Sequence, residues 1–283
     1  MTPQGERVAG VSTNEVMSLA LSLSGLEEVP PDSAIHHPGA GIRRVLIGID
    51  LEGPELLAAR DLGYDLVIAH HPIGTGALGL PRVLERHVPQ MVEVGVPEPL
   101  ARAAIAALVE ERRVAAGIAN ADRAPSLARL LRLPYMNIHT PLDEIGRRRM
   151  AEAVAALAPD ATVADLVSHL GARFGEFRNA PVPIEVRVGL PGRHLGRTVV
   201  SHAAGTNGGY AVAKAYFDHG VDTVISIHFA AADSARLRAE FGDRKALVVT
   251  GHLASDSIGI NPFIDALRER GLEVTPTSGI VAP

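Results

Sequence analysis

Residues 44–72 read RVLIGIDLEGPELLAARDLGYDLVIAHHP, in which two short apolar runs flank a segment that begins near a proline. Both runs have the length of a strand and are rich in β-branched residues, which favours buried strands. Between them, Pro54 has a position typical of the first turn of a helix. The stretch therefore predicts a strand–helix–strand unit that ends at His70-His71-Pro72.

Alternating helices and strands are predicted on both sides of this unit. Ser12 and Glu15 have the spacing of a capping box, which indicates an N-terminal helix over 12–24. The segment 81–133 has apolar residues at helical spacing and is broken by prolines, so we interpret it as a helical insertion. Further strands are predicted over 135–139, 185–190, 198–203, 223–228 and 246–250, and further helices over 143–157, 163–174, 209–218, 233–240 and 257–270. This alternation predicts an α/β protein.

Pro181 and Pro183 lie between two groups of predicted elements. We therefore predict a first α/β lobe over residues 1–180, which includes the insertion 81–133. A second α/β lobe is predicted over residues 181–283, packed on the first.

The composition excludes several classes of protein. With 283 residues, of which 47% are hydrophobic, the chain can bury a substantial core. It has no cysteine, which excludes disulfides, thiolate nucleophiles and cysteine-ligated metals. A net charge of −5, with 4% aromatic residues and no tryptophan, argues against nucleic-acid binding. The start of the sequence does not resemble a secretory leader and no apolar run reaches about 18 residues, so we expect a cytoplasmic protein that does not enter membranes.

The first chemical signal is His70-His71-Pro72, directly after a predicted strand. Ligands of open α/β sheets gather at the carboxyl ends of strands. Adjacent histidines on a regular strand face opposite ways, so both can reach one site only if the chain leaves the strand here, which Pro72 favours. Two ordinary loop histidines are the alternative.

Two further signals also follow predicted strands. Segment 139–143 reads HTPLD, in which Asp143 is either a metal ligand or the cap of the next helix. Segment 251–256 reads GHLASD, in which His252 and Asp256 are four residues apart and would share one face of a helix. A helix cap is again the alternative for Asp256.

Together the three signals predict one metal site. It would be formed by His70, His71, Asp143, His252 and Asp256. Three imidazoles and two carboxylates suit two divalent ions of zinc, manganese, iron, nickel or cobalt, with open positions for water. Two neighbouring ions can activate water and stabilise the oxyanion of a hydrolytic reaction.

Other features are less specific. His139 is assigned to the surroundings of the ions or to the substrate side. His228 either lines the cleft or is a core histidine. The turn 205–209, GTNGG, either binds an anion at the start of the next helix or is a plain tight turn. No partner is visible in the sequence for His194, His202 and His219.

The motifs HHPIG (70–74), NIHTPLDE (137–144) and TGHLASD (250–256), in this order, resemble the Ngg-interacting-factor-three-like family of dinuclear metal proteins. Its members are also called GTP cyclohydrolase I type 2 homologues. RRVLIGIDL (43–51) and SHAAGTNGG (201–209) extend the likeness over most of the chain.

This resemblance implies two interlocked α/β lobes with a dinuclear metal cleft between them, and a homo-oligomer such as a hexameric ring. His70 and His71 would each bind one ion, with Asp143 on one, His252 on the other and Asp256 between them. The family commonly has Glu at the position of Asp256, and the shorter side chain of Asp reaches two ions less easily. The helical insertion is also longer than in compact members, and an Asp is usual where His228 stands.

The sequence thus favours a divalent-metal-binding protein that acts as a cyclohydrolase-like, metal-dependent hydrolase on a small molecule, such as a nucleotide-like or phosphorylated compound. One alternative is a non-catalytic metal-binding or regulatory protein that acts through a partner. Another is a nucleotide-binding α/β enzyme that uses the turn 205–209. The resemblance does not establish GTP as the substrate.

Overall fold

Two mixed sheets organise residues 10–202 and 208–283, the ranges that the structure, a computed structural model, describes. The strands are β1 (Ala34–His37), β2 (Arg44–Gly48), β3 (Leu66–Ala69), β4 (Tyr135–Asn137), β5 (Glu185–Val188), β6 (Thr198–Val200), β7 (Thr223–Ser226), β8 (Ala246–Val249) and β9 (Glu273–Thr277). The first sheet has the order β1-β4-β3-β2-β9 and the second the order β5-β8-β7-β6. Each sheet is parallel except for one antiparallel edge strand, β1 or β5. The predicted α/β class is confirmed.

Helices cover both sheets. They are α1 (Thr13–Ser24), α2 (Gly53–Asp61), α3 (Gly74–Val83), α4 (His87–Glu93), α5 (Glu98–Ile118), α6 (Arg123–Leu131), α7 (Thr140–Ala155), α8 (Val163–Arg173), α9 (Gly175–Asn179), α10 (Gly209–Asp218), α11 (Ala231–Phe241) and α12 (His252–Glu269). The capping box predicted for the first helix is present, because Ser12 N donates to Glu15 Oε2 and Glu15 N donates to Ser12 Oγ. None of the helices in the described ranges has the length and apolar character needed to cross a membrane.

Two strands were not predicted, and both depend on distant partners. Strand β1 is only half-buried and pairs with β4, about a hundred residues later in the chain. Strand β9 contains Pro276, which is tolerated because β9 is an edge strand beside β2. It belongs to the first sheet although its residues lie in the predicted second lobe. The division of the chain near residue 181 stays a prediction.

The helical segment predicted over 81–133 begins earlier, at Gly74, the first residue of α3. Glycines obscured this start in the sequence because they weaken a helical pattern. In the structure they serve packing: a Cβ at Gly79 would lie 1.8 Å from the carbonyl oxygen of Pro31. Helix α3 can therefore lie directly against the loop that precedes β1.

Helices α7 and α12 lie between the two sheets, since each contributes apolar side chains to a core on either side. Their backbones touch at Gly259, where a Cβ would lie 2.0 Å from the carbonyl oxygen of Leu142. Leu142 precedes Asp143, and Gly259 is one turn after Asp256. The close approach therefore brings the first turns of the two helices, and their carboxylates, together.

Candidate metal centre

The five side chains predicted as ligands lie together between the two sheets. His70 and His71 directly follow β3 at the end of the first sheet. His252 and Asp256 lie in the first turns of α12, after β8 of the second sheet, and Asp143 lies in the first turn of α7. Distances between their ligand atoms connect all five.

Both histidines of the HHP motif face Asp256. Their backbone N–H groups still donate to the carbonyls of Gly48 and Ile49, so the chain follows β2 for two residues beyond β3. The two rings nevertheless lie 5.5 Å apart and tilted by 39°. Nε2 of His70 lies 3.8 Å, and Nε2 of His71 3.6 Å, from Asp256 Oδ2. The two imidazoles therefore point into one centre.

One side of the centre is open to solvent. His252 Nε2 lies 3.2 Å from Asp256 Oδ2, as the i, i+4 spacing predicts, and 3.2 Å from His71 Nε2. The side chain of His71 is 24% exposed and that of His252 is 38% exposed. We call His71 and His252 the open side.

The other side is enclosed, and Asp143 is at its middle. Asp143 Oδ1 lies 3.2 Å from His70 Nε2 and 3.3 Å from His202 Nε2, while Oδ2 lies 3.5 Å from His139 Nε2. His202 lies two residues beyond β6 and is fully buried, like His70. We call His70, Asp143 and His202 the buried side.

Hydrogen bonds at Nδ1 orient three of the imidazoles. His70 Nδ1 lies 3.1 Å from the carbonyl oxygen of Ile138, which can only accept, so Nδ1 carries the proton. His71 Nδ1 lies 2.7 Å from Asp50 Oδ1, and His139 Nδ1 lies 2.7 Å from Asp32 Oδ2. Such contacts to the far nitrogen are typical of histidines that bind metal through Nε2.

Several buried nitrogen and oxygen atoms of the centre have no hydrogen-bond partner among residues 10–202 and 208–283, and divalent cations could bind to them. They include His70 Nε2, both carboxylate oxygens of Asp143, Asp256 Oδ2 and both ring nitrogens of His202. Buried polar atoms are normally paired, so each of them requires an explanation. Nitrogen and oxygen ligands at about 2.0–2.2 Å from a tetrahedral ion are about 3.3–3.6 Å apart, close to the separations here. Three overlapping groups could hold an ion: His70-His139-Asp143, His70-His71-Asp256 and Asp143-His202-Asp256.

The charges of the pocket also favour a cation. Burial tends to lower the pKa of His139, but Asp143 and Asp32 outweigh it and raise that pKa to about 9. Burial likewise opposes the charge of His202, whose pKa is raised because Asp143 is adjacent. Burial would raise the pKa of Asp143, yet His139 and His202 hold it well below its usual value. The carboxylates thus attract positive charge, which either protons or metal ions can supply.

Sequence reasoning missed three residues of the centre. Asp50 is the last residue of the first predicted strand (44–50), and His202 lies near the end of the predicted strand 198–203; this position at a strand end was the available signal. Asp32 lies in a loop without any such pattern; it is fully buried and also accepts a hydrogen bond from Thr140 Oγ1. Its role depends on contacts more than a hundred residues away.

The remaining candidates have different outcomes. The ring of His228 lies 4.9 Å from that of His252, so it borders the open side. His194 and His219 contact the carbonyl oxygens of Pro159 and Ala215. The prediction for the turn 205–209 falls largely on residues 205–207, outside the described residues.

Comparisons with known proteins identify the family. No protein-family model matches the sequence, and no curated protein matches it. Among solved structures, a NIF3 superfamily protein from Sphaerobacter thermophilus is 49% identical, with a TM-score of 0.91 over 96% of this chain and 99% of that one. Reduced HcgD from Methanocaldococcus jannaschii (11% identity, TM-score 0.58, 95% and 99% covered) and a Bacillus cereus protein related to NIF3 (11%, 0.51, 96% and 97%) share the fold. The resemblance inferred from the three motifs is confirmed, and the chain belongs to the NIF3 superfamily.

Proposed function

We propose that this protein is a metal-dependent hydrolase that uses two divalent ions to act on a small molecule. His70, His71, Asp143, His252 and Asp256 are the proposed ligands, with Asp256 between the ions. The observation that carries the proposal is the set of buried, unpaired nitrogen and oxygen atoms at the separations that metal ligands have.

Divalent ions, when bound, would lower the pKa of water and stabilise the negative charge that develops in hydrolysis. The protein residues would hold and orient these ions and the substrate. On the buried side, Ile138 fixes the ring of His70 through its carbonyl oxygen. On the open side, the exposure of His71 and His252 leaves room for a substrate to approach. A buried side that holds an ion firmly and an open side that admits a substrate are both consistent with hydrolysis.

The alternative is a non-catalytic metal-binding protein that acts through a partner. Its support is the complete enclosure of His70 and His202, because ligands away from solvent favour retention of an ion over turnover. A cytoplasmic location, a homo-oligomer such as a hexameric ring, and nucleotide-like or phosphorylated substrates stay predictions from the sequence and its resemblance.

Turnover before and after metal removal tests the proposal. The purified protein is stripped with a chelator, reloaded separately with zinc, manganese, iron, nickel or cobalt, and assayed with nucleotides and other phosphorylated or cyclic small molecules. We expect hydrolysis only in a reloaded form, and its loss in His71→Ala. Activity of the fully metal-free protein would contradict the proposal.

A matched control separates site effects from general damage. Asp265→Asn changes an exposed carboxylate on α12, the helix that carries Asp256, and is expected to leave turnover unchanged. Stoichiometric metal binding without turnover on any substrate, together with a partner recovered from cell extract, would favour the non-catalytic alternative.

A further inference from the structure

We propose that His202 is a fourth ligand of the ion on the buried side, so that one half of the centre is closed and the other half is open. This inference rests on the proposed function, because it assigns a further residue to the same two-ion site. It predicts that the two ions differ in how firmly they are held.

The position of His202 fits a ligand. Its Nε2 lies 3.3 Å from Asp143 Oδ1, the oxygen that also lies 3.2 Å from His70 Nε2. Ligand atoms of Asp143, His202 and Asp256 all lie within 4.8 Å of one another. With His70, which is 3.8 Å from Asp256 Oδ2, these residues supply two nitrogens and two oxygens to one ion. Two histidines and two carboxylates complete the four-coordinate set that zinc and similar ions prefer.

The surroundings of His202 also require a partner. Its side chain is fully buried, and neither ring nitrogen has a hydrogen bond within the part of the chain that the structure describes. A buried imidazole whose ring nitrogens make no hydrogen bond is costly, since it has lost its hydrogen bonds to water. Coordination of an ion through Nε2 would satisfy the nitrogen that faces Asp143.

The backbone directs this histidine into the centre. Ser201 N donates to the carbonyl oxygen of Ile225 at 2.8 Å, which extends the pairing of β6 with β7 by one residue. His202 therefore stands just past the carboxyl end of a parallel strand, where ligands gather in α/β sheets. It is the counterpart, in the second sheet, of His70 at the end of β3.

The groups of residues 10–202 and 208–283 that could hold an ion give the open side no equivalent residue, and His228 borders this side with its ring 4.9 Å from that of His252. His71, His252 and Asp256 supply three ligand atoms, and both imidazoles contact solvent. Three protein ligands and a free position are typical of catalytic sites, whereas four protein ligands are typical of structural sites. We therefore expect the ion on the buried side to stay bound and the ion on the open side to exchange with the solution.

Metal retention tests this assignment without an activity assay. The protein is loaded with zinc and dialysed against a graded series of chelator concentrations, and the bound zinc per chain is measured by element-resolved mass spectrometry. The wild type is expected to lose one ion at low chelator concentration and the second only at a concentration about a hundredfold higher. This factor is the upper end of the changes in metal affinity that altered surroundings of a metal site produce. In His202→Gln both ions are expected to leave early.

A matched pair of variants separates ligation from packing. Gln and Glu have the same length, but only Glu offers an anionic ligand, so His202→Glu is expected to restore retention whereas His202→Gln does not. His219→Gln, at a histidine that contacts the carbonyl oxygen of Ala215 instead, serves as the control and should retain zinc like the wild type. Thermal unfolding of each variant checks that it is folded.

The outcomes distinguish this inference from the proposed function. If His202→Gln is folded and retains one ion as the wild type does, or if the wild type loses both ions in a single step, the role of His202 is overturned while the proposed two-ion hydrolase is unaffected. If His202→Gln does not fold, the wild type is compared with His202→Glu. Loss of all zinc from both proteins at low chelator concentration overturns the inference, whereas retention of one ion by both supports it. A wild type that binds no divalent ion overturns both.

Discussion

The buried and open sides of the candidate centre use the same residue types in different surroundings. His70, Asp143 and His202 are enclosed by both sheets, whereas His71 and His252 keep 24% and 38% of their side-chain exposure. An unpaired polar atom costs more when it is buried, because it cannot turn to water. We therefore expect a bound cation to stabilise the buried side more than the open side, which can be hydrated without one.

Asp256 joins the two sides, so its replacement should have the largest effect. Its Oδ2 faces histidines from both of them. In Asp256→Asn we expect affinity for both ions to fall by about a thousandfold, which is about 4 kcal/mol. Titration against competing chelators measures this change, with Asp265→Asn as the control. If Asp256→Asn binds two ions with wild-type affinity, Asp256 does not contribute to binding on either side, which contradicts this account.

A pH effect should appear next to the buried side, at His87. Burial lowers its pKa to about 4, and nearby His202 and Arg86 contribute. Between pH 6.5 and 4 the unfolded chain binds a proton at this residue and the folded chain does not, so the unfolding free energy falls as pH falls. Above pH 6.5 His87 is neutral in both states, so it causes no further change in the unfolding free energy. Between pH 6.5 and pH 4 the change caused by His87 amounts to about 3 kcal/mol.

Urea unfolding of the metal-free protein at several pH values checks this expectation. The loss of stability on acidification should be smaller in His87→Gln than in the wild type, because the substituted side chain does not titrate. Parallel stability curves for the two proteins between pH 7 and pH 5 would show that His87 is not the group responsible.

Two carboxylates that orient histidines sharpen the comparison. Asp32 contacts His139 and Asp50 contacts His71, both at 2.7 Å, but Asp32 is fully buried whereas Asp50 is 70% exposed. In Asp32→Asn we expect metal affinity to fall by about tenfold to a hundredfold, and in Asp50→Asn by less than about tenfold, because water can replace the exposed group. Isothermal titration of both variants with zinc compares them. Equal effects would mean that burial does not govern these contacts.

The packing of α7 on α12 gives a smaller effect. A Cβ at Gly259 would collide with the carbonyl oxygen of Leu142 at 2.0 Å, and backbone cannot move aside easily. Gly259→Ala should therefore lower the unfolding free energy by about 2 kcal/mol. At Gly146 the nearest atoms lie 3.3 Å away, so Gly146→Ala should be close to neutral because Ala also favours helix. Denaturant unfolding that ranks the two variants the other way would contradict this packing.

Local patterns were sufficient to predict the α/β class and the segments that meet at the centre. Apolar runs identified β2 and β3, and the position of His70, His71 and His252 after strands indicated a shared edge. The i, i+4 spacing also predicted that His252 and Asp256 face each other, which the 3.2 Å distance confirms. These features are local because strand and helix periods fix where neighbouring side chains point.

Long-range packing determined what the sequence did not reveal. Asp32 orients His139 across 107 positions of the chain, and His202 reaches Asp143 from the other sheet. The starts of α7 and α12 were predicted too late, at 143 and 257 instead of Thr140 and His252. Pro141 is the second residue of α7 and Pro262 lies inside α12, so local signals alone placed these boundaries poorly.

Anomalous X-ray scattering from crystals of the zinc-loaded protein, recorded on both sides of the zinc absorption edge, tests the central claim most directly. We predict two peaks between the sheets, one bonded to His70 and Asp143 and the other to His71 and His252, each at about 2.0–2.2 Å from its ligand atoms. Peaks located only elsewhere on the protein, or ordered crystals of loaded protein with no peak among these residues, would contradict it.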